Sequence, residues 1–263
     1  MDYLNMLTDA DILDINKNIG YKSNFTLDKL FASKKTPNLF VEAERMIEGS
    51  NIPVMAQVHA FDTEARIGDR PSFEQLKLEK LFIKEKINAT ERMMYYKDER
   101  GVGDNQLKNF IFDDVLNMYT RVGTRTSVMI GELLSNGKLT IKENNVDTVV
   151  DYGMPAENTI AMTGWATPAH DILGDIQKVV TTAKQKGYKI VRAITSTKVF
   201  GYLLANDKIN EIFAKRTDFL TDNDLKDWLK QKFGIEFVLN DEIYLTDLEK
   251  KKTNRIYKED NIT

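Results

Sequence analysis

The sequence predicts an α+β protein, and three observations carry that reading. Two strand-like arms flank a charged bend between Ile52 and Ile87, a long helical pattern runs from Asp104 to Leu134, and helix and strand signals alternate from Pro155 onward. The chain has 263 residues, room for one large domain or two modest ones.

Residues 1–51 are mixed. Asp9 to Lys17 reads as a short helix after Thr8, and Pro37, Gly49 and Pro53 punctuate the remainder. This region reads as an extended arm with one or two short helices. In the next segment Val54, Ala56, Val58 and Ala60 alternate with Met55, Gln57, His59 and Phe61, a period of two. The bend from Asp62 to Pro71 carries Asp62, Glu64, Arg66, Asp69 and Arg70, with Gly68 and Pro71 as breakers. The return arm, Phe73 to Ile87, holds Leu76 and Leu78 in one phase and Leu81, Ile83 and Ile87 in the other. A bulge near Glu79–Lys80 would restore the register. An arm of about ten residues spans roughly 33 Å, and an isolated two-stranded ribbon of that length is marginal in water. The ribbon therefore needs a neighbour, which hints at assembly.

From Asp104 to Leu134, apolar residues recur at intervals of three and four: Leu107, Phe110, Ile111, Val115, Met118, Tyr119, Val122, Met129, Ile130, Leu133 and Leu134. Gly103–Asp104 starts the helix and Asn136–Gly137 stops it, while Gly123, Thr124 and Thr126 favour a bend in the middle. Lys138 to Val150 reads as strand, turn, strand around Asn144–Asn145. Pro168 opens a helix that Gly187 ends, and Tyr188 to Ile194 is a buried-type strand. Ser196 caps the next helix, and Ile209, Ile212 and Phe213 mark a short one. Thr221, with Asp224 three residues on, opens another that closes at Gly234. Ile235–Leu239 and Ile243–Leu245 are strands, and Lys250 to Thr263 is polar.

Composition narrows the function. A net charge of −3 provides no basic field for gripping nucleic acid. Cysteine is absent, so disulfide staples, thiolate nucleophiles and Cys–metal sites are excluded; this fits a reducing compartment. No segment approaches the ~18 apolar residues of a membrane span, and the acidic N-terminus does not read as a secretory signal.

No catalytic set emerges. In His59-Ala-Phe-Asp62-Thr-Glu64 the carboxylates share one side of an extended strand while the imidazole faces the other. His170–Asp171 resembles the metal-binding pair of His-Asp phosphohydrolases, which need further His ligands, and this chain has only two His in total; Asp171 reads instead as charge at a helix N-terminus. Gly101-Val-Gly103 lacks the third glycine of a dinucleotide fingerprint, Gly137–Lys138 lacks P-loop spacing, and Gly131 to Gly137 has the wrong spacing for a nucleophile elbow. Trp165 and Trp228 read as packing residues.

The segment Leu39 to Ile87, with PVMAQVHAFDTEARIGDRP and IKEKI inside it, resembles the lambda-type E family of tailed-bacteriophage major capsid proteins. The long helix, then LTIKENNVDTVVDYG, TGWATPAHDILGDIQ and the run from Gly187 to Tyr244 resemble that family in the same order. The resemblance covers roughly residues 28–258. It implies a Hong Kong 97-type capsid fold: an N-terminal arm over 1–52, an E-loop hairpin over 53–90, a P-domain with spine helix over 91–153, an α/β A-domain over 154–246, and a polar segment over 247–263 after which family members continue.

The implied function is a structural, non-enzymatic major capsid protein of a tailed phage. It would assemble with itself into the pentamers and hexamers of an icosahedral shell, with no cofactor or metal and no membrane. Expected partners are scaffold, portal and decoration proteins, and the shell would enclose double-stranded DNA without sequence-specific binding. The expected location is the virion, assembled in the host bacterial cytoplasm. Asp62, Glu64, Arg66, Asp69 and Arg70 are the expected inter-subunit contacts at the E-loop tip. The alternative is an α/β enzyme or small-ligand-binding protein using the 154–246 lobe, which predicts a pocket of convergent polar groups near the ends of the Tyr188–Ile194 strand.

Overall fold

The computed structural model describes residues 25–31, 35–46, 52, 55, 73–84, 104–144, 146–215, 220–247 and 251–263. Within these, helix and strand are mixed along the chain in an α+β arrangement. Contacts divide it into two units, Met1–Lys34 with Leu81–Gly131, and Lys35–Lys80 with Glu132–Thr263.

The first unit holds helix α1 (Thr26–Leu30) and most of helix α2 (Asp104–Asn136). The 33 residues of α2 make a rod of about 50 Å. The expected bend near Gly123 is not a break, because helical pairing runs unbroken through it. The hydroxyls of Thr120, Thr124 and Thr126 turn back to the carbonyls of Leu116, Thr120 and Val122 at 2.9, 2.8 and 3.1 Å, and so stay inside the helix's own bonding. Gly123, Ser127 and Gly131, four residues apart, are buried. The Ser127 hydroxyl donates to Asp28 Oδ1 of α1 at 2.5 Å.

In the second unit, strand β1 (Phe40–Met46) pairs antiparallel with β2 (Phe73–Glu79), from Phe40 opposite Glu79 to Met46 opposite Phe73. This corrects two expectations. The return arm pairs with a strand from the region read as an extended arm, and it ends at Glu79 instead of continuing through a bulge to Ile87. The phase change between Leu78 and Leu81 is thus the end of the strand. Of the first expected arm only Ile52 and Met55 are described, and both are exposed.

Gly137 ends α2 in a left-handed conformation (φ 69°), its amide bonded to the Leu133 carbonyl at 2.7 Å. A Cβ at this position would lie 2.7 Å from that of Met154, so glycine is required by both backbone and space. The hairpin of β3 (Lys138–Glu143) and β4 (Val146–Asp151) follows as expected, and Leu139 and Ile141 are its buried pair.

The remaining lobe is built on two parallel strands, β5 (Arg192–Thr195) and β6 (Glu236–Leu239). Helix α3 (Ile172–Gln185) precedes β5, and α4 (Thr197–Leu204), α5 (Asp207–Ala214) and α6 (Asp222–Phe233) fill the crossover. Each helix starts on a side-chain cap, from Asp171, Ser196, Asn206 and Thr221, the last in a full capping box with Asp224. Ile172, Ile176, Phe200, Leu203, Ile209, Leu225, Leu229 and Phe237 form one buried cluster. Two boundaries differ from expectation. Helix α3 begins at Ile172 and not at Pro168, because Asp171 is the cap and the Pro168 carbonyl instead accepts from the Asp207 amide at 3.0 Å. Ladder pairing in β5 begins at Arg192 and not at Tyr188.

Strands β7 (Ile243–Asp247) and β8 (Lys252–Arg255) form a further antiparallel pair, so the polar C-terminal stretch contains a strand that its composition hid. Beyond β8, Ile256 and Tyr257 are buried, and Ile262 forms an antiparallel bridge with Thr195. The same segment reaches the end of α2: Lys258 Nζ lies 2.5 Å from Asn136 Oδ1 and Asn261 Nδ2 3.4 Å from the Ser135 carbonyl.

Candidate assembly surfaces

The sequence-predicted contact residues Asp62, Glu64, Arg66, Asp69 and Arg70 lie outside the described residues, as does His59. The β1–β2 ribbon, whose strands precede and follow them in sequence, is described. Its seven-residue ladder is roughly 24 Å long. Each strand has one partner, and among the described residues no further strand pairs with either. Leu39, Phe40 and Val41 are exposed, Phe40 at 44%. The Lys77 ammonium lies 4.9 Å from the centre of the Phe40 ring, over its face, and Lys80 Nζ donates to the Thr36 carbonyl. The ribbon therefore leaves apolar side chains exposed while basic groups cover part of them. Sequence reasoning missed its first strand. The only signal was the short alternation Val41-Glu42-Ala43-Glu44, cut off by Arg45.

His170 and Asp171 do not act together. Asp171 caps α3 and pairs with Lys208 at 3.0 Å. Lys208 and then the Gly174 amide hold its carboxyl below the usual range. His170 Nε2 lies 2.8 Å from Asp175 Oδ2, the oxygen that also accepts the Trp165 indole N–H at 2.9 Å. Trp165 is thus buried with its polar edge satisfied. Trp228 packs edge-on to Phe213 with ring centres 5.7 Å apart.

Beside these residues a groove of about 150 Å³ opens at the Ile190–Ala193 edge, the place the enzyme alternative requires. Its walls are apolar, including Met162, Ile176, Val179 and Phe237. Among its polar groups, Asp175 is bonded to Trp165 and His170, and Arg192 is paired with Glu236 at 3.6 Å. Among the described residues no three His, Asp or Glu gather as a metal site, and no helix is long and apolar enough to cross a membrane.

Charge is otherwise spent on tying the lobe together. Burial works against the Asp241 carboxylate, yet hydrogen bonds from Thr197 and Arg255 outweigh it and hold its pKa below the usual value. Lys198 pairs with Asp260 at 2.7 Å, which raises its own pKa. Burial pushes the Tyr257 phenol up to about 12, against the opposing effect of its hydrogen bond with Thr263.

A family model described as phage major capsid protein E matches residues 13–253. No curated protein matches the chain. Among solved structures, it is similar to a protein assigned as a prophage capsid protein from Escherichia coli CFT073, at 12% identity and a TM-score of 0.46, covering 85% of this chain and 57% of that one. It is also similar to a phage-related protein from Bordetella bronchiseptica RB50, at 13% identity and a TM-score of 0.51, covering 95% of this chain and 77% of that one. The chain thus spans little more than half the length of the first, and the second likeness is one of fold.

Proposed function

The chain belongs to the phage major capsid protein E family and has a structural, capsid role; from that premise we propose that copies of it close into the icosahedral head of a tailed phage. The observation that carries the proposal is the β1–β2 ribbon. It has two strands, no third strand among the described residues, and exposed Leu39 and Phe40. A two-stranded ribbon gains independent stability only when something packs on it. In a closed assembly each copy meets the next through the same heterologous contact, and the neighbour supplies the missing surface.

On this reading, 1–52 is the N-terminal arm, 53–90 the E-loop, 91–153 the P-domain, 154–246 the A-domain and 247–263 the polar connection out of it. The charges from Asp62 to Arg70 meet complementary charge on the next copy. The partners are first the chain itself, in pentamers and hexamers, and then scaffold, portal and decoration proteins. The net charge of −3 supports a container that encloses duplex DNA without gripping it. Assembly takes place in the host cytoplasm and the product is the virion. Sedimentation velocity with negative-stain imaging of the purified chain tests the proposal. Rings or shells that grow with concentration support it, and a monomer at every concentration refutes it.

A further inference from the structure

The junction between α2 and β3 carries a reactive dipeptide. Asn136–Gly137 is the only Asn-Gly pair in the sequence. Glycine has no Cβ, so its amide nitrogen is open to close approach. In a flexible Asn-Gly that nitrogen attacks the side-chain carbonyl carbon of the asparagine. The N–H proton passes to solvent base, a bond from nitrogen to Cγ forms, the Cγ–Nδ2 bond breaks and ammonia leaves. Water then opens the cyclic imide at either carbonyl. One opening gives aspartate, and the other gives isoaspartate, with one more methylene in the main chain.

The fold holds the two reacting groups apart. Asn136 is the last residue of α2. The Gly137 N–H donates to the Leu133 carbonyl at 2.7 Å, and the Gly137 carbonyl accepts from the Tyr152 amide at 3.4 Å. A nitrogen whose proton is held in a hydrogen bond must break that bond before it can attack. The other partner is tied as well. Asn136 Oδ1 accepts from Lys258 Nζ at 2.5 Å across 122 positions, which draws the side chain toward the segment beyond β8. An ammonium on Oδ1 also polarises Cγ, but that gains nothing while the nitrogen is out of line with it. The space is filled too: a Cβ on Gly137 would lie 2.7 Å from both Cβ and Cε of Met154.

We propose that Asn136 is a deamidation site that the fold keeps shut, and that opening of the α2 end is its gate. The imide forms only when the Gly137–Leu133 hydrogen bond and the Lys258 tether are both broken. Reclosing does not reverse the step. The product puts a negative charge at the C-terminal end of α2, where the helix dipole opposes it. Isoaspartate also lengthens the chain where Met154 already fills the space. A transient opening of the junction thus becomes a permanent one. The inference rests on the α2–β3 junction and is independent of the shell reading.

The test incubates the full chain in mildly alkaline buffer and follows the peptide that contains Asn136 by mass spectrometry, with isoaspartyl methyltransferase labelling of the product. The guanidinium-unfolded chain deamidates at Asn136 about tenfold or more faster than the native chain, as a locally gated site requires. Lys258 is exposed, so Lys258→Ala leaves the fold intact. It raises the native rate severalfold and leaves the unfolded rate unchanged. Lys258→Arg, which keeps a donor for Oδ1, returns the native rate toward that of the unaltered chain. Equal rates in the native and unfolded chains overturn the gate. An unfolded chain that does not deamidate at Asn136 overturns the site, and a native rate unmoved by Lys258→Ala overturns the tether.

Discussion

Trp165 donates its indole N–H to Asp175 at 2.9 Å, and His170 reaches the same carboxylate oxygen at 2.8 Å. One acceptor on the first turns of α3 thus fixes the turn that covers the core. Gly164, at φ 92°, allows the close approach, since a Cβ there would lie 3.0 Å from His170 Nδ1. Asp175→Ala leaves a part-buried indole N–H and an imidazole without their acceptor. The expected loss is about 1–3 kcal/mol in urea denaturation, with a smaller loss for Asp175→Asn, which keeps an oxygen for Trp165.

Asn206 caps α5 and braces a turn with a single side chain. Its Oδ1 accepts from the Ile209 amide at 3.3 Å, while its Nδ2 donates to the carbonyls of Pro168 and His170 at 2.9 and 2.7 Å. The side chain is fully buried. Asn206→Asp keeps the acceptor, so the helix start survives, but it sets a carboxylate against two carbonyls. The expected result is that Asn206→Asp costs as much as or more than Asn206→Ala, each by roughly 2–4 kcal/mol, although Asp is an equally good cap at an exposed helix. Chemical denaturation of both variants checks the order.

Tyr257 makes the lobe alkali-sensitive. The phenol is 1% exposed, and its pKa is raised from 10.0 to about 12. The unfolded chain ionises this phenol at the lower pH. Stability from this group is therefore complete below pH about 10 and lost as pH rises toward about 12, by an amount on the order of 2–3 kcal/mol. Tyr257→Phe removes this part of the pH dependence. Denaturation midpoints across the alkaline range, with phenolate absorbance, read the effect directly.

The proposed contacts at the ribbon tip are tested by reversing charge. Each exposed pair is worth about 1 kcal/mol or less, but every subunit repeats it. Arg66→Glu combined with Arg70→Glu is expected to lower the yield of closed particles in negative-stain images and to shift the salt dependence of assembly. Normal particles at normal yield would remove these residues from the interface.

What could be read from sequence was what is local. The spacing of Val115, Met118, Val122, Met129 and Leu133 marked α2, and Ser196 and Thr221 marked the starts of α4 and α6, because caps and helical periods act within a few residues. Strand β1 escaped because its partner Phe73–Glu79 is remote in sequence and its own alternation is short. Ile256 and Tyr257 escaped because Lys250–Asp260 is otherwise polar, so two buried residues left no periodic trace.

The brace between the end of α2 and residues 258–263 has a consequence for synthesis. The Thr263 hydroxyl bonds to the Leu134 carbonyl across 129 positions, and the Asn261 amide to Ser135 across 126. A ribosome adding about 5–20 residues per second delivers the two ends of that brace on the order of ten seconds apart. All the helices of the lobe, the last ending at Phe233, are therefore synthesised before residues 258–263 can reach the end of the rod.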